Sequence, residues 1–200
     1  MKPSLIPAEQ ASRFYRHWLN ADREKRESEI QSLIHSPLHR LDLPALLQHE
    51  IGNGYSLPRA MRRIRNLLIC AIIERDLSGK ADLSEVVETM TLFAEFAIRT
   101  HLDSLYEELT ETHGTPVGAH SGKKQKMIVL GMGKLGGREL NVSSDIDLIF
   151  VYPENGETVA TRSGQRTLSN QEFFTRLGKR FIKALSEIAE DGFTFRVDMA

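Results

Sequence analysis

The sequence has little cysteine, little net charge and no long apolar run. Cys70 is the single cysteine among 200 residues, which excludes an intramolecular disulfide and fits a reducing compartment. The formal net charge is −1, so no global basic field points to nucleic acid or to an acidic membrane surface. Met1-Lys2-Pro3 opens no long apolar run, so we expect neither a signal peptide nor a transmembrane helix. We therefore expect a cytoplasmic protein that binds neither nucleic acid nor membranes.

The first half of the chain carries helical patterns. The apolar share is 40%, enough for a packed core. Asp82 and Glu85 resemble a capping box at the start of the longest predicted helix, which runs to about Glu111. Glycines, a proline and lysines then interrupt the apolar pattern. We predict a helical region over 1–113 and a linker over 114–126.

One helix, predicted from Ser56 to a glycine stop at Gly79, carries a cluster of arginines. A phosphate-binding or partner-binding patch is one interpretation, and a solvated helix face is the one we favour. Cys70 lies in the same helix, where we expect a buried small hydrophobe rather than a nucleophile. The clustered arginines are Arg59, Arg62, Arg63 and Arg65.

The stretch from Met127 to Tyr152 reads as strand, glycine turn, short helix, polar loop and strand. Met127 to Leu130 is a short apolar run that predicts a buried strand. A helix over Leu135 to Leu140 would favour an anion at its N-terminus. The turn fits G-x-G-x-x-G but lacks the distant acidic residue of a dinucleotide site. Four glycines clear side chains from the turn, so that backbone N–H groups can approach a ligand: Gly131, Gly133, Gly136 and Gly137.

Asp145 and Asp147 begin the second strand of this stretch. Residues two apart on a strand point to the same side, which leaves Ile146 facing the core. Two neighbouring carboxylates repel each other unless a cation lies between them, and oxygen ligands with open positions for phosphate suit Mg²⁺. Phosphoryl or nucleotidyl transfer is the chemistry that this arrangement favours. A solvated turn at the start of a strand is the alternative.

The remaining sequence predicts a loop, a helix and a strand. Residues 153–169 are polar and are expected to form a mobile loop at the mouth of the site. Asn170 is the predicted cap of an amphipathic helix. Residues 193–199 alternate as a strand, with Arg196 and Asp198 on its polar side.

These motifs resemble a known family. The order of glycine turn, short helix and Asp-x-Asp strand is similar to the nucleotidyltransferase fold of the DNA polymerase beta type. The string G-M-G-K-L-G-G-R-E-L-N-V-S-S-D-I-D-L-I-F, with N-Q-E-F-F-T-R and R-V-D-M, resembles bifunctional glutamine synthetase adenylyltransferase/adenylyl-removing enzymes. The closer likeness is to their N-terminal, adenylyl-removing half. One departure is Gly133-Lys134, where the superfamily has Gly-Ser.

The resemblance implies an α+β fold, in which a helical N-terminal part precedes the start of a nucleotidyltransferase domain over 127–200. Family members continue beyond R-V-D-M, so that domain is expected to be incomplete and weak or inactive alone. Asp198 would be the third carboxylate, which makes Asp145, Asp147 and Asp198 the catalytic residues and Mg²⁺ ligands. A salt bridge between Asp198 and Arg196 or another basic residue is the alternative. The implied phosphate and nucleotide contacts are Gly131, Gly133, Lys134, Gly136, Gly137, Ser143 and Ser144.

The implied function is regulation of glutamine synthetase. Phosphate would attack the AMP on an adenylylated tyrosine and release ADP, while the other half of the enzyme adds AMP from ATP. The implied partners are glutamine synthetase, the PII signalling protein, ATP, ADP and phosphate. Two alternatives stay open: ATP-dependent transfer at this same site, and a non-catalytic partner-binding module.

Overall fold

The computed structural model describes residues 6–199, apart from the side chain of Met199. The chain divides into two compact units, and the division falls inside a continuous helix at Ala94 and Glu95. The predicted division into 1–113, 114–126 and 127–200 stays a prediction. The first unit contains the residues up to Ala94, Arg138–Ser144 and Ala189–Gly192; the second contains Glu95–Gly137, Asp145–Ile188 and the residues from Phe193 onward.

Helices form the first unit. The longest helix of the described chain, α6, spans 31 residues and continues into the second unit. Among residues 6–199, no helix combines the length and apolar character that a membrane span needs. The helices are α1 (Ala8–Ala11), α2 (Arg13–Asn20), α3 (Arg23–Leu33), α4 (Leu43–Gly52), α5 (Leu57–Leu77) and α6 (Leu83–His113), with a 3-10 turn over Leu38–Arg40.

Helix α5 is the centre of the first unit, and helices α2, α3 and α4 pack against it. Ser56 is its N-cap, as predicted. Apolar residues recur at helical spacing along α5, so more than one face of this helix can be buried. The fully or almost fully buried apolar side chains of α5 are Ala60, Met61, Ile64, Leu68, Cys70, Ala71 and Ile72.

A buried ion pair joins the end of α5 to the start of α6. Arg75 Nε and Nη2 donate to the two carboxylate oxygens of Glu85 over 2.7 and 2.9 Å. The backbone N–H of Leu38 donates to the same carboxylate over 3.0 Å. The capping box is confirmed in its first half, because Glu85 N donates to Asp82 Oδ1 over 2.8 Å. The junction between α5 and α6 thus contains a buried ion pair, and both oxygens of the Glu85 carboxylate accept hydrogen bonds.

The prediction of a solvated arginine face on α5 is wrong. Arg62 is 7% exposed and Arg65 is 9% exposed. Arg65 Nη2 lies 3.4 Å from the carbonyl oxygen of Val142, and Arg63 pairs with Glu50. Periodicity locates a polar helix face, but it does not tell whether water or another segment of the chain covers that face.

The turn Ala189–Gly192 also lies in the first unit, and α5 holds it. Arg59 Nε donates to Asp191 Oδ2 over 2.9 Å, and Arg59 Nη2 donates to Glu190 Oε1 over 2.5 Å. Asn66 Nδ2 donates to the carbonyl oxygen of Asp191 over 2.9 Å. Asp191 has φ 68°, a left-handed conformation that these bonds stabilise. The arginine cluster therefore binds segments of its own chain.

Cys70 is confirmed as a buried small hydrophobe. It has no exposed surface in the first unit. Burial raises the pKa of its thiol to about 12. The thiol stays protonated near neutral pH, which excludes the thiolate needed of a nucleophile.

Two small sheets and two helices join the second half of α6 in the second unit. Strand β3 is central in a three-stranded sheet of order β2-β3-β5. It pairs antiparallel with β2 and parallel with β5, while β1 and β4 form a separate antiparallel pair. The elements are β1 (Thr115–Gly118), β2 (Ile128–Gly131), α7 (Gly133–Gly136), β3 (Ile146–Val151), β4 (Gly156–Val159), α8 (Asn170–Ser186) and β5 (Val197–Met199). The expected α+β class is confirmed.

Both stretches that were predicted as irregular contain a strand. The predicted linker, 114–126, includes β1, and the predicted loop, 153–169, includes β4. Thr115 pairs with Val159 at one end of this two-stranded sheet. The two strands are short and far apart in sequence, so that neither shows a pattern until its partner is known.

The short helix and the last helix differ slightly from the predictions. The helix after the glycine turn is Gly133–Gly136 rather than Leu135 to Leu140. Ser169, not Asn170, is the N-cap of α8, because Ser169 Oγ accepts from Glu172 N over 3.2 Å. Ser169 lies immediately before a residue of equal capping propensity, and the sequence does not decide between them.

The predicted strand over 193–199 is regular only at Val197–Met199. Before it, the backbone N–H groups of Thr194 and Phe195 both donate to the carbonyl oxygen of Leu185 over 3.0 Å. The end of α8 therefore fixes the segment that leads into β5.

One face of the three-stranded sheet packs against α8. Phe150 and Phe181 meet edge to face with centroids 5.7 Å apart, and Tyr152 stacks on Phe174 at 4.8 Å. These contacts bury the side of β3 that carries Phe150, and Asp147 lies on the other side. A connected core cluster of this unit comprises Tyr106, Leu109, Met127, Leu168, Phe173, Phe174 and Leu177.

Candidate active site

Two predicted metal ligands are neighbours on adjacent parallel strands. Asp147 of β3 and Asp198 of β5 are register partners, so their side chains project from the same face of the sheet. Ile146 and Leu148 point the other way and are fully buried. Asp147 is half-buried and Asp198 is exposed. The predicted alternation, with Ile146 in the core, is confirmed.

The glycine turn packs against Asp147. A β-carbon at Gly133 would lie 2.7 Å from Asp147 Oδ2, and Gly133 has φ +51°. Glycine is required there by both the close approach and the left-handed backbone. Met132 N also donates to the carbonyl oxygen of Asp147 over 2.8 Å. The turn therefore lies directly against Asp147, and a side chain at position 133 would displace its carboxylate.

A second glycine of the turn, Gly136, allows its backbone to pack closely. A β-carbon at Gly136 would lie 2.5 Å from the carbonyl oxygen of Gly131. Gly137 has φ −79°, which any residue adopts. Lys134 is exposed on α7. A phosphate contact from these residues stays a prediction.

Ser143 and Ser144 lie in a loop of the first unit, and their hydrogen bonds include partners within that loop. Asn141 Oδ1 accepts from Ser143 N over 3.0 Å and from Ser143 Oγ over 3.1 Å. Ser144 N donates to the carbonyl oxygen of Asn141 over 3.2 Å. The side chain of Asn141 therefore shapes the loop, and the predicted role of the two serines toward phosphate stays a prediction.

Arg196 pairs with a different aspartate from the one considered in the sequence. Its Nε donates to Asp145 Oδ1 over 2.5 Å, rather than to Asp198. The side chains of Arg196 and Asp145 are 60% and 39% exposed. The Arg196 guanidinium lies 5.8 Å from the centroid of the Phe193 ring. Two-residue spacing along the strand already predicts Arg196 on the polar face, but its partner depends on the parallel pairing of β3 with β5.

The three carboxylates suit Mg²⁺ by their chemistry, on one condition. Within residues 6–199, no group of three or more His, Cys, Asp or Glu side chains is arranged to hold a metal ion. Asp147 and Asp198 are register neighbours, and carboxylate oxygens are the ligands that Mg²⁺ prefers. Asp145 is engaged by Arg196. All three could bind one ion only if Arg196 releases Asp145.

The second unit contains an apolar cavity of about 260 Å³ that was not predicted from the sequence. None of the predicted site residues lines it. It lies where β3 ends and α8 passes, so no local sequence signal could have shown it. The lining residues are Met127, Phe150, Val151, Tyr152, Phe174, Thr175, Gly178, Lys179 and Ile182.

Fold and site together define an α+β protein with an acidic sheet edge beside a glycine turn. Residues 9–200 match the model of the family described as glutamate-ammonia ligase adenylyltransferase. The chain belongs to that family, and the resemblance found in the sequence is confirmed.

The curated relatives are bifunctional enzymes. A protein of Ralstonia nicotianae is 57% identical over 144 residues, which is 72% of this chain and 15% of the relative. One of Aromatoleum aromaticum is 44% identical over 196 residues, which is 98% of this chain and 20% of the relative. Both carry the name bifunctional glutamine synthetase adenylyltransferase/adenylyl-removing enzyme. The chain therefore spans about a fifth or less of the length of these two relatives.

Proposed function

We propose that this chain supplies the catalytic carboxylates of an enzyme that removes AMP from adenylylated glutamine synthetase. Membership of the family supports a role in adenylyl transfer. The observation that carries the proposal is the register pairing of Asp147 with Asp198 beside the glycine at position 133. The glycine and Asp-x-Asp motifs resemble those of the adenylyl-removing half more closely, which supports removal of AMP as the direction of the reaction. The PII signalling protein, ATP, ADP and phosphate belong to the same proposal.

In the proposed reaction, an oxygen of inorganic phosphate attacks the phosphorus of the tyrosine-bound AMP. The bond from that phosphorus to the tyrosine oxygen breaks, and the tyrosine oxygen takes the proton of the phosphate. ADP and the tyrosine hydroxyl are the products. Transfers of this kind depend mostly on positioning and on charge stabilisation, with little covalent chemistry for the protein.

Asp145, Asp147 and Asp198 are the residues that would hold Mg²⁺. Bound there, the ion supplies positive charge for the phosphoryl oxygens. The chain's own contribution is position, because strand pairing fixes Asp147 beside Asp198. Gly133 leaves room for the Asp147 carboxylate. The backbone from Gly131 to Gly137 and the side chain of Lys134 are the proposed phosphate contacts.

ATP-dependent adenylylation at the same site is the second candidate. The name of the relatives contains both activities, and the same carboxylates would stabilise in-line displacement in either direction. In this direction, unmodified glutamine synthetase and ATP are the substrates, and pyrophosphate leaves. The two candidates therefore differ in their need for inorganic phosphate.

The test is to incubate the chain with Mg²⁺ and adenylylated glutamine synthetase, with and without inorganic phosphate. ADP is measured by chromatography, and loss of AMP from tyrosine by mass spectrometry. The full-length relative of Aromatoleum aromaticum serves as the reference for substrate quality. We expect phosphate-dependent ADP release, slower than that of the longer protein, and none from the Asp147→Asn variant.

A parallel incubation with ATP and unmodified glutamine synthetase decides the direction. AMP incorporation without phosphate-dependent ADP release would overturn adenylyl removal in favour of the second candidate. Absence of both activities, together with no Asp147-dependent binding of Mg²⁺, would leave the non-catalytic interpretation. Arg180→Gln, an exposed charge change on α8, is the matched control and should behave like the unchanged chain.

A further inference from the structure

The ion pair between Arg196 and Asp145 lies where the proposed function needs a free carboxylate. Arg196 Nε donates to Asp145 Oδ1 over 2.5 Å. Asp145 stands two residues before Asp147, and Arg196 stands two residues before Asp198. Asp147 and Asp198 are register partners, and the ion pair joins the two residues that come just before β3 and β5. A guanidinium therefore occupies one of the carboxylates assigned to the metal.

The pair is open to exchange. The side chain of Arg196 is 60% exposed and that of Asp145 is 39% exposed. Ion pairs in such exposed positions are weak, because water screens the attraction and two side chains must be ordered. A divalent cation attracts a carboxylate more strongly than a single guanidinium does.

The released guanidinium of Arg196 is suited to bind a phosphate group. Arginine binds phosphate oxygens through two parallel N–H donors. Its fork stays charged at every relevant pH. The short segment between Phe193 and β5 is held to the end of α8 through the N–H groups of Thr194 and Phe195. Arg196 follows directly, so its backbone stays beside the sheet edge when its side chain changes partner.

We propose that Arg196 exchanges Asp145 for a phosphate oxygen of the ligand when a divalent cation takes Asp145. This inference rests on the proposed function, because it uses the same three carboxylates. It assigns Arg196 two successive partners. The metal-free site thus holds its own counter-ion, and metal binding creates the phosphate contact. Free inorganic phosphate and a nucleotide phosphate share this chemistry.

The decisive measurement is made without metal. Inorganic phosphate is titrated into the chain in chelator-treated buffer, and binding is followed by phosphorus NMR. Asp145→Asn should strengthen phosphate binding about two- to fivefold, the range that an exposed ion pair is worth. Asp147→Asn is the matched control, since it removes the same charge two residues further along the chain without freeing Arg196. Asp145→Asn combined with Arg196→Gln should lose the gain.

Equal gains in Asp145→Asn and Asp147→Asn would overturn the exchange, because general electrostatics would then explain both. Persistence of the gain in the double variant would overturn it as well. Neither result depends on the metal, so neither tests the proposed function.

A second arm measures Mn²⁺ binding by electron paramagnetic resonance of the free ion. Arg196→Gln should strengthen Mn²⁺ binding about two- to fivefold when Asp145 is present and have no such effect in Asp145→Asn. The same strengthening in both backgrounds would contradict competition for Asp145. Absence of Mn²⁺ binding in every variant would sink the metal site of the proposed function, while the metal-free phosphate titration would still decide whether Arg196 is released.

Discussion

Charged side chains meet opposite surroundings at the α5–α6 junction and at the edge of the β2-β3-β5 sheet. At the junction, the side chains of Arg75 and Glu85 are 6% and 9% exposed. At the sheet edge, the side chains of Arg196 and Asp145 are 60% and 39% exposed. Both are arginine–carboxylate pairs, yet one is enclosed by hydrogen bonds and the other is open to water.

This difference in exposure distinguishes charged groups that stabilise the fold from charged groups that a ligand can reach. A buried charge is tolerated only with a full set of partners, so its partners cannot be given up to a ligand. Opening an exposed pair costs little free energy, because such a pair contributes little to stability. The buried arginines of α5 therefore stabilise the fold, whereas the aspartates at the sheet edge are accessible to a ligand.

The largest effect should come from Glu85→Gln. It leaves the Arg75 guanidinium buried beside a neutral partner, and breaking such a pair costs about 3 kcal/mol of unfolding free energy. Urea unfolding, followed by circular dichroism, measures the loss. A loss below about 1 kcal/mol, the value typical of exposed pairs, would contradict the contrast between the two regions.

The same variant should change the response to acid. Burial alone would raise the pKa of Glu85, but the hydrogen bonds from Arg75 and Leu38 outweigh it, and the pKa lies below its ordinary value of 4.5. The stabilisation by Glu85 is therefore complete above pH 4.5 and is lost as pH falls through the lowered pKa. We expect Glu85→Gln to flatten the acid side of the stability profile. An unchanged slope below that pH would show that other carboxylates cause it.

At the sheet edge, Asp147→Asn should act on binding and not on folding. Removing one carboxylate from the proposed metal site should weaken Mg²⁺ binding by about one to two powers of ten, or roughly 1.4–2.8 kcal/mol. Calorimetry measures the affinity, and urea unfolding should show little change because Asp147 is only half-buried. Unchanged Mg²⁺ affinity would remove Asp147 from the metal site.

Gly133→Ala should affect both folding and binding. A β-carbon there would lie 2.7 Å from Asp147 Oδ2 at φ +51°, so the carboxylate has to move. We expect about 1–2 kcal/mol less stability from the backbone, with weaker Mg²⁺ binding. Gly122→Ala is the control, because Gly122 has φ +63° and open space around its Cα. Equal Mg²⁺ affinities in the two variants would show that the close approach to Asp147 has no role.

The smallest effect should come from Arg180→Gln. Arg180 pairs with Glu108 over 3.2 Å, with both side chains about half exposed. Removing such a pair should change the unfolding free energy by about 0.5 kcal/mol or less. A change as large as that of Glu85→Gln would mean that exposure does not separate the two kinds of pair.

Several features follow from local sequence patterns alone. The capping of α6 by Asp82, the burial of Cys70 and the position of Ile146 in the core were all predicted and are confirmed. Each depends on neighbours within a few residues, which is the range over which helical and strand periods act. The family was also readable from the glycine and Asp-x-Asp motifs, because these motifs are contiguous.

Other features required partners that are far apart in the chain. Neither β1 nor β4 has a pattern of its own, and each becomes a strand through the other. The solvated face expected for the α5 arginines was wrong, because Arg62 and Arg65 lie against carbonyl groups more than 70 residues away. Long-range contacts of this kind leave no periodic signal.

The sequence by itself identified the residues that we propose for the chemistry: an Asp-x-Asp at a strand start, a glycine turn before it and an Arg-x-Asp on a later strand. Local stereochemistry sets the face on which each side chain lies, so these assignments needed no tertiary information. Only the tertiary structure decided that Asp198 stands beside Asp147 and that Arg196 holds Asp145. The pairing of β3 with β5 joins segments that are far apart in the chain, so the pattern within either strand alone does not show which of their residues become neighbours.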